Sequence, residues 1–208
     1  MIQVVATPVG DARLTWFRAD APKVVLALGH GGSSGIETPD LQTLANSLPE
    51  RGVTVVLMEQ PWRVTGGRWA STEVLDHAWA TVWPRFAAVG VPVVAGGRSA
   101  GSRVAARTAK RLHAAKVLAL AFPLHGFGKP DDVWDVGELY DTGLPTLIVQ
   151  GGLDPFGKPE DFPPLPKGFE LFEVPRADHT FRVPQDQDKA LASITDTVAR
   201  WLGVQCSR

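Results

Sequence analysis

The sequence predicts an α/β fold: an open, mostly parallel sheet with helices on both faces and no large cap domain, formed by residues 1–208 as one domain. Three observations lead there. Short apolar runs rich in Val, Leu and Ala recur along the chain, nearly continuous rather than alternating, as suits strands covered on both faces. Amphipathic stretches of helical period lie between them, which is the alternation of a parallel sheet with crossover helices. The glycines and prolines fall between these segments as punctuation and form no low-complexity tract.

Taken in order, IQVVAT and ARLTWF around Gly10-Asp11 read as an edge hairpin. KVVLALG from Lys23 is the first buried strand. TPDLQTLANSLPERG from Thr38 is a helix with Thr38 as N-cap and Gly52 beyond its end. VTVVLM from Val53 is a strand, and TEVLDHAWATVWPRFAAVG from Thr72 a helix capped by Thr72 and closed by Gly90. VPVVAGG from Val91, the helix SRVAARTAKRLHAA from Ser102, and the strands KVLALAF from Lys116 and PTLIVQGG from Pro145 continue the pattern. FELFEVP from Phe169 supplies a last strand and DKALASITDTVARWLG from Asp188 a closing helix. In such a sheet the ligand site lies at the carboxyl ends of the strands.

Charge and cysteine content exclude several function classes. With 21 Lys+Arg against 22 Asp+Glu, the net charge of -1 offers no long-range attraction to phosphate backbones or anionic lipid, so neither nucleic acid nor a membrane is an expected partner. A single cysteine, Cys206, rules out an intramolecular disulfide framework and cysteine-rich zinc sites, and reads as an incidental terminal thiol. MIQVVATPVGDAR has neither a basic leader nor a cleavage site, and no apolar run approaches spanning length. The chain reads as soluble and cytoplasmic.

The strand VPVVAG runs into Gly97-Arg98-Ser99-Ala100-Gly101 and a helical pattern follows at once. This is G-x-S-x-G spacing in its strand-turn-helix setting. The small residues let neighbouring backbones approach, and the serine projects from a tight elbow at a helix N-terminus that favours developing negative charge. The competing reading is a glycine-flanked serine that only caps a helix.

A serine hydroxyl is a poor nucleophile at neutral pH unless a base lies within hydrogen-bond reach and a carboxylate holds that base in its useful tautomer. The order for this arrangement is serine, acid, histidine. Among the five histidines, His30 and His77 come too early, His113 closes the helix after the elbow, and His125 precedes the acid. His179, in ADHTF just after FELFEVP, remains. Asp154, after the Gly151-Gly152 turn that ends PTLIVQ, fits the acid, whereas Asp131, Asp132, Asp135 and Asp141 lie before that strand. Asp178 is adjacent to His179 and reads as a solvated or loop-capping carboxylate. An oxyanion needs backbone donors. Ala100 supplies one, and Gly29-His30-Gly31-Gly32-Ser33-Ser34-Gly35 the other, placed at Gly32 with Gly31 as the alternative. That loop lacks the adjacent lysine–hydroxyl pair of a phosphate-binding P-loop, and its glycines do not match G-x-G-x-x-G spacing.

With these residues the chain resembles the α/β-hydrolase superfamily over essentially its full length. GHGGSSG, EQPWRVTGGR with LDHAWATV, GGRSAGSRVA, QGGLDPFG and RADHTF are similar to a small lidless group of dienelactone-hydrolase-like proteins, a group that also resembles a subunit of a eukaryotic histone-acetyltransferase complex. The resemblance implies Ser99, Asp154 and His179 as a catalytic triad. The stretch between KVLALAF and PTLIVQ is too short for a helical cap, so the pocket is expected to be open and shallow. Trp62, Trp69, Trp134, Phe156 and Phe181 fall in loops at that end and are expected to wall a small acyl or aromatic site. Glu59, ending its strand, and Arg98, beside the nucleophile, are expected to pair, supporting the elbow or offering a guanidinium to a substrate carboxylate.

The function read from the sequence is a serine hydrolase of small esters, thioesters or lactones that forms an acyl-enzyme and needs no metal or organic cofactor. Its alternatives are an acyltransferase using the same residues and a non-catalytic interaction module on the hydrolase fold.

Overall fold

Eight strands form one sheet in a computed structural model that describes residues 1–204 except Gly128, Pro130 and Val133; Cys206 lies outside the described residues. The strands are β1 (Ile2–Thr7), β2 (Gly10–Phe17), β3 (Val24–Gly29), β4 (Val53–Glu59), β5 (Val93–Arg98), β6 (Lys116–Leu120), β7 (Thr146–Gly151) and β8 (Phe169–Val174), in the order β1-β2-β4-β3-β5-β6-β7-β8. β1 with β2 and β2 with β4 are antiparallel, and all pairs from β4 to β8 are parallel. The hairpin turns one step earlier than its sequence suggests. Thr7 pairs with Gly10, so Pro8 and Val9 make the turn and Gly10, at φ +114°, already belongs to β2.

The continuous apolar runs become strands buried on both faces because period-two alternation sends successive side chains to opposite layers. In β3, Val25 and Ala27 pack with α3 (Thr72–Ala87) and α4 (Ala100–Ala109). Val24, Leu26 and Leu28 pack on the other side with α1 (Pro39–Ser47) and α6 (Gln187–Leu202). Each fully buried Leu or Val stabilises the layers by about 1.5–3 kcal/mol. Two single turns, α2 (Pro61–Val64) and α5 (Gly137–Tyr140), lie in the loops at the carboxyl end. No helical cap is inserted among the described residues, and none of their helices is long and apolar enough to cross a membrane.

Helix starts differ slightly from the expected ones. Thr38 stands at the N-cap of α1, but its side chain makes no capping hydrogen bond. Ser71, rather than Thr72, is the N-cap of α3. α4 begins at Ala100, directly after Ser99, instead of at Ser102, because the elbow leaves no intervening loop. Gly52 and Gly90 take positive φ after their helices, as expected. With β3 to β8 parallel, the loops that carry the glycine-rich turn, Ser99, Asp154 and His179 all leave the same edge of the sheet.

Candidate active site

Ser99 has φ 53° and ψ −120°, a conformation that costs a non-glycine residue about 1–3 kcal/mol and persists only where its surroundings enforce it. Its N–H donates to the Leu120 carbonyl at 2.9 Å, tying the elbow to the end of β6. The flanking glycines make room for this turn. A Cβ on Gly101 would stand 2.5 Å from the Gly29 carbonyl oxygen, and one on Gly97 would overlap the Gly101 carbonyl group. The spacing G-x-S-x-G is therefore required by the backbone approach of β3, β5 and α4.

His179 Nε2 lies 2.9 Å from Ser99 Oγ, and its Nδ1 lies 2.8 Å and 3.0 Å from the two carboxylate oxygens of Asp154. A carboxylate only accepts, so Nδ1 carries the proton and Nε2 faces the serine with its lone pair. Asp154 is fully buried and is held on two further sides: Oδ1 accepts the Phe156 N–H at 2.9 Å, and Oδ2 accepts from Gln150 Nε2 at 3.1 Å. Gln150 in turn donates to Gly157 and Phe122 carbonyls and accepts the Phe122 N–H. It was missed in the sequence; its only signal was an amide side chain closing the buried run TLIVQ. The Phe156 ring packs on the His179 ring with centroids 4.3 Å apart. Asp178 caps its own loop, accepting from the Thr180 N–H and hydroxyl and from the Arg182 N–H. Partial burial works against its ionisation, but those hydrogen bonds hold its carboxyl below the usual range.

Arg98 does not pair with Glu59. Glu59 on β4 sits opposite Arg13 on β2 and binds it at 3.2 Å, while β3 separates β4 from β5. The Arg98 guanidinium is instead buried beneath the loops. Nη1 donates to Ser34 Oγ at 2.9 Å, Nη2 donates to the His179 carbonyl at 2.8 Å, and Nε lies 3.4 Å from Asp40 Oδ2 at the start of α1. Buried at 2 % exposure, it cannot meet a substrate carboxylate; the expected substrate-binding role is replaced by support of two loops. Burial pushes the Asp40 carboxyl up, and the adjacent guanidinium opposes that rise.

The glycine-rich loop is fixed by His30, another residue whose role the sequence did not disclose. Its Nδ1 faces the carbonyls of Gly31 at 2.7 Å and Ser34 at 3.1 Å, so that nitrogen donates, while Nε2 accepts the Gln60 N–H at 3.1 Å. The imidazole is thus neutral and fully used, and burial pushes its pKa down.

Ser99, His179, Gly32 and Ala100 line one open cleft of about 630 Å³, walled by Trp69, Trp134 and Phe156 among others. Ala100 opens α4, where a backbone N–H has no intrahelical acceptor. At the far side Arg103 and Arg107 are held by Glu138, with Arg107 also bidentate to Asp76 at 2.7 Å and 2.9 Å. This side of the cleft is charged but balanced. Two expected wall residues lie elsewhere. Trp62 is behind Trp69, between it and His30 with ring centroids 5.4 Å and 5.5 Å away, and does not reach the cleft. Phe181 is fully buried in the layer beneath α6.

Known proteins share this architecture. At 19% identity and a TM-score of 0.80, the chain matches a serine hydrolase without lid from Xanthomonas campestris over 100% of its own length and 96% of that chain. It matches a serine hydrolase homologue from Coxiella burnetii at 20% identity and 0.77, over 96% of both chains. A dienelactone hydrolase from Anabaena variabilis follows at 19% and 0.71, over 98% of this chain and 97% of that one. These likenesses establish the fold. No curated protein matches the chain in sequence. A family model described as an alpha/beta hydrolase domain matches residues 22–203, and the chain therefore belongs to the alpha/beta hydrolase family.

Proposed function

We propose that this protein is a serine hydrolase that cleaves a small ester, thioester or lactone through an acyl-enzyme. The observation that carries the reading is the unbroken hydrogen-bonded series Ser99 Oγ, His179 Nε2, His179 Nδ1 and Asp154 at the mouth of an open cleft. His179 takes the Ser99 proton as Oγ bonds to the substrate carbonyl carbon, and the carbonyl electron pair moves onto oxygen. Asp154 orients the imidazole and stabilises its charged form. The N–H groups of Ala100 and Gly32 face the developing oxyanion, whose stabilisation is usually the largest single contribution. Collapse of the intermediate expels the alcohol or thiol, which receives the proton from His179. Water then repeats the sequence at the acyl carbon and restores Ser99. Trp69, Trp134 and Phe156 suit a short acyl or aromatic group, and the lack of a cap suits a small substrate over a long lipid.

A fluorophosphonate probe tests this reading directly. Wild type and Ser102→Ala take the label and Ser99→Ala does not. A folded wild type that stays unlabelled refutes the enzyme and favours the interaction module.

A further inference from the structure

Behind Trp69 lies a second, smaller space of about 10 Å³, room for one water-sized group. Trp69, Leu75 and Ala100 line both this chamber and the cleft, so they form the wall between them. Three of the chamber's residues carry buried polar atoms with no hydrogen-bond partner among the described residues: Gln60 Oε1, Trp62 Nε1 and Trp79 Nε1. Elsewhere on Gln60 the backbone N–H donates to His30 Nε2, and Nε2 donates one of its two hydrogens to the Leu75 carbonyl. The atoms without any partner are thus one acceptor and two donors. A carbonyl can only accept, an ammonium can only donate, and an apolar group leaves all three unpaired. A hydroxyl both donates and accepts.

Trp69 is the exposed member of that wall. That indole is 50% exposed and closes over Gly32, where an added Cβ would stand 2.9 Å from its ring. It hangs from a loop in which Gly66 takes φ +69° and a Cβ there would meet no atom within 4 Å. Ala100, the neighbour of Ser99, lines the chamber too, so the chamber adjoins the cleft at the elbow.

We propose that this chamber, entered past Trp69, is a hydroxyl-recognition subsite, so that the preferred substrates are short hydroxyacyl derivatives. This rests on the hydrolase reading for its location beside the acyl group. A substrate hydroxyl would there take the hydrogen bonds that a water could otherwise make.

The test compares 3-hydroxybutyramide with butyramide, which differ by that hydroxyl alone, by calorimetry on wild type, Val104→Leu and Trp79→Phe. Val104 lines the chamber but not the cleft, so leucine there fills the space without removing a polar group. Wild type should bind the hydroxyamide about tenfold more tightly, as one additional buried hydrogen bond implies. Both variants should lose that preference while still binding butyramide. Equal affinities in wild type, or a preference that survives Val104→Leu, overturn the subsite. The p-nitrophenyl esters of the same two acids should show the same ratio in kcat/KM. A wild type that discriminates between the amides yet turns over neither ester retains the subsite and sinks the hydrolase reading alone.

Discussion

Arg98 Nη2 donates to the backbone carbonyl of His179 at 2.8 Å. The residue preceding the candidate nucleophile thereby holds the loop of its candidate base. The same guanidinium reaches Ser34 in the glycine-rich loop and Asp40 on α1, so one buried cation registers two loops and a helix against each other. The arrangement accounts for how residues 80 apart in sequence keep a 2.9 Å contact in an open cleft without a cap.

Arg98→Lys tests that registration. A lysine keeps the charge near Asp40, but a single ammonium cannot make the same divergent contacts to Ser34 and His179. A misplacement on the order of 1 Å at the base costs about 10²-fold. We expect kcat to fall by that order with KM nearly unchanged in steady-state ester hydrolysis. A proportionate rise in KM instead would mean that Arg98 acts on substrate binding.

Asp40→Ala removes the partner of this buried cation. Stranding one member of a buried pair typically costs about 3–5 kcal/mol. Urea unfolding should show a loss of that size, and a loss below about 1 kcal/mol, as for an exposed pair, would show that the two charges are not coupled.

His179→Ala should lower acylation by about 10²- to 10⁴-fold, the usual contribution of a general base. Its ring packs on Phe156 and bonds the buried Asp154, so thermal unfolding should stay cooperative at a somewhat lower temperature. Single-turnover rates with a p-nitrophenyl ester separate the two effects, and a fully active variant removes His179 from the reaction.

Gln150→Glu replaces the amide that donates to Asp154 with a carboxylate facing it. Like charges at that distance resist joint ionisation, so one of the pair takes up a proton. The acid limb of the kcat/KM profile should move to higher pH, whereas a merely structural role for Gln150 would lower rate and stability without moving it.

His30 sets a dependence of stability on pH. Its folded pKa is pushed below the ordinary value of 6.5, so the unfolded chain binds its proton first. Stability from His30 is therefore complete above about pH 6.5 and is lost as pH falls below it, by up to about 1.4 kcal/mol per pH unit until the folded state also protonates. Urea unfolding between pH 8 and pH 5 should show this slope, and His30→Asn should remove it.

The sequence alone determined the fold class, the elbow and the three residues that meet at the mouth of the cleft. Their signals are local: continuous apolar runs set the doubly covered strands, the glycines flanking Ser99 answer a backbone approach, and chain order after the elbow singles out Asp154 and His179. Only the tertiary structure decided which side chains support them. Glu59 and Arg98 both end strands, yet the order β2-β4-β3-β5 gives Glu59 to Arg13 and leaves Arg98 to Asp40, Ser34 and His179. Likewise Trp62 and Phe181 carry the same composition signal as Trp69 and Phe156, but the direction in which each loop packs sends them behind the wall or into the core. Such partners are chosen by which strands become neighbours in the sheet and by where a loop turns, and those choices follow from the packing of the whole chain rather than from any one segment.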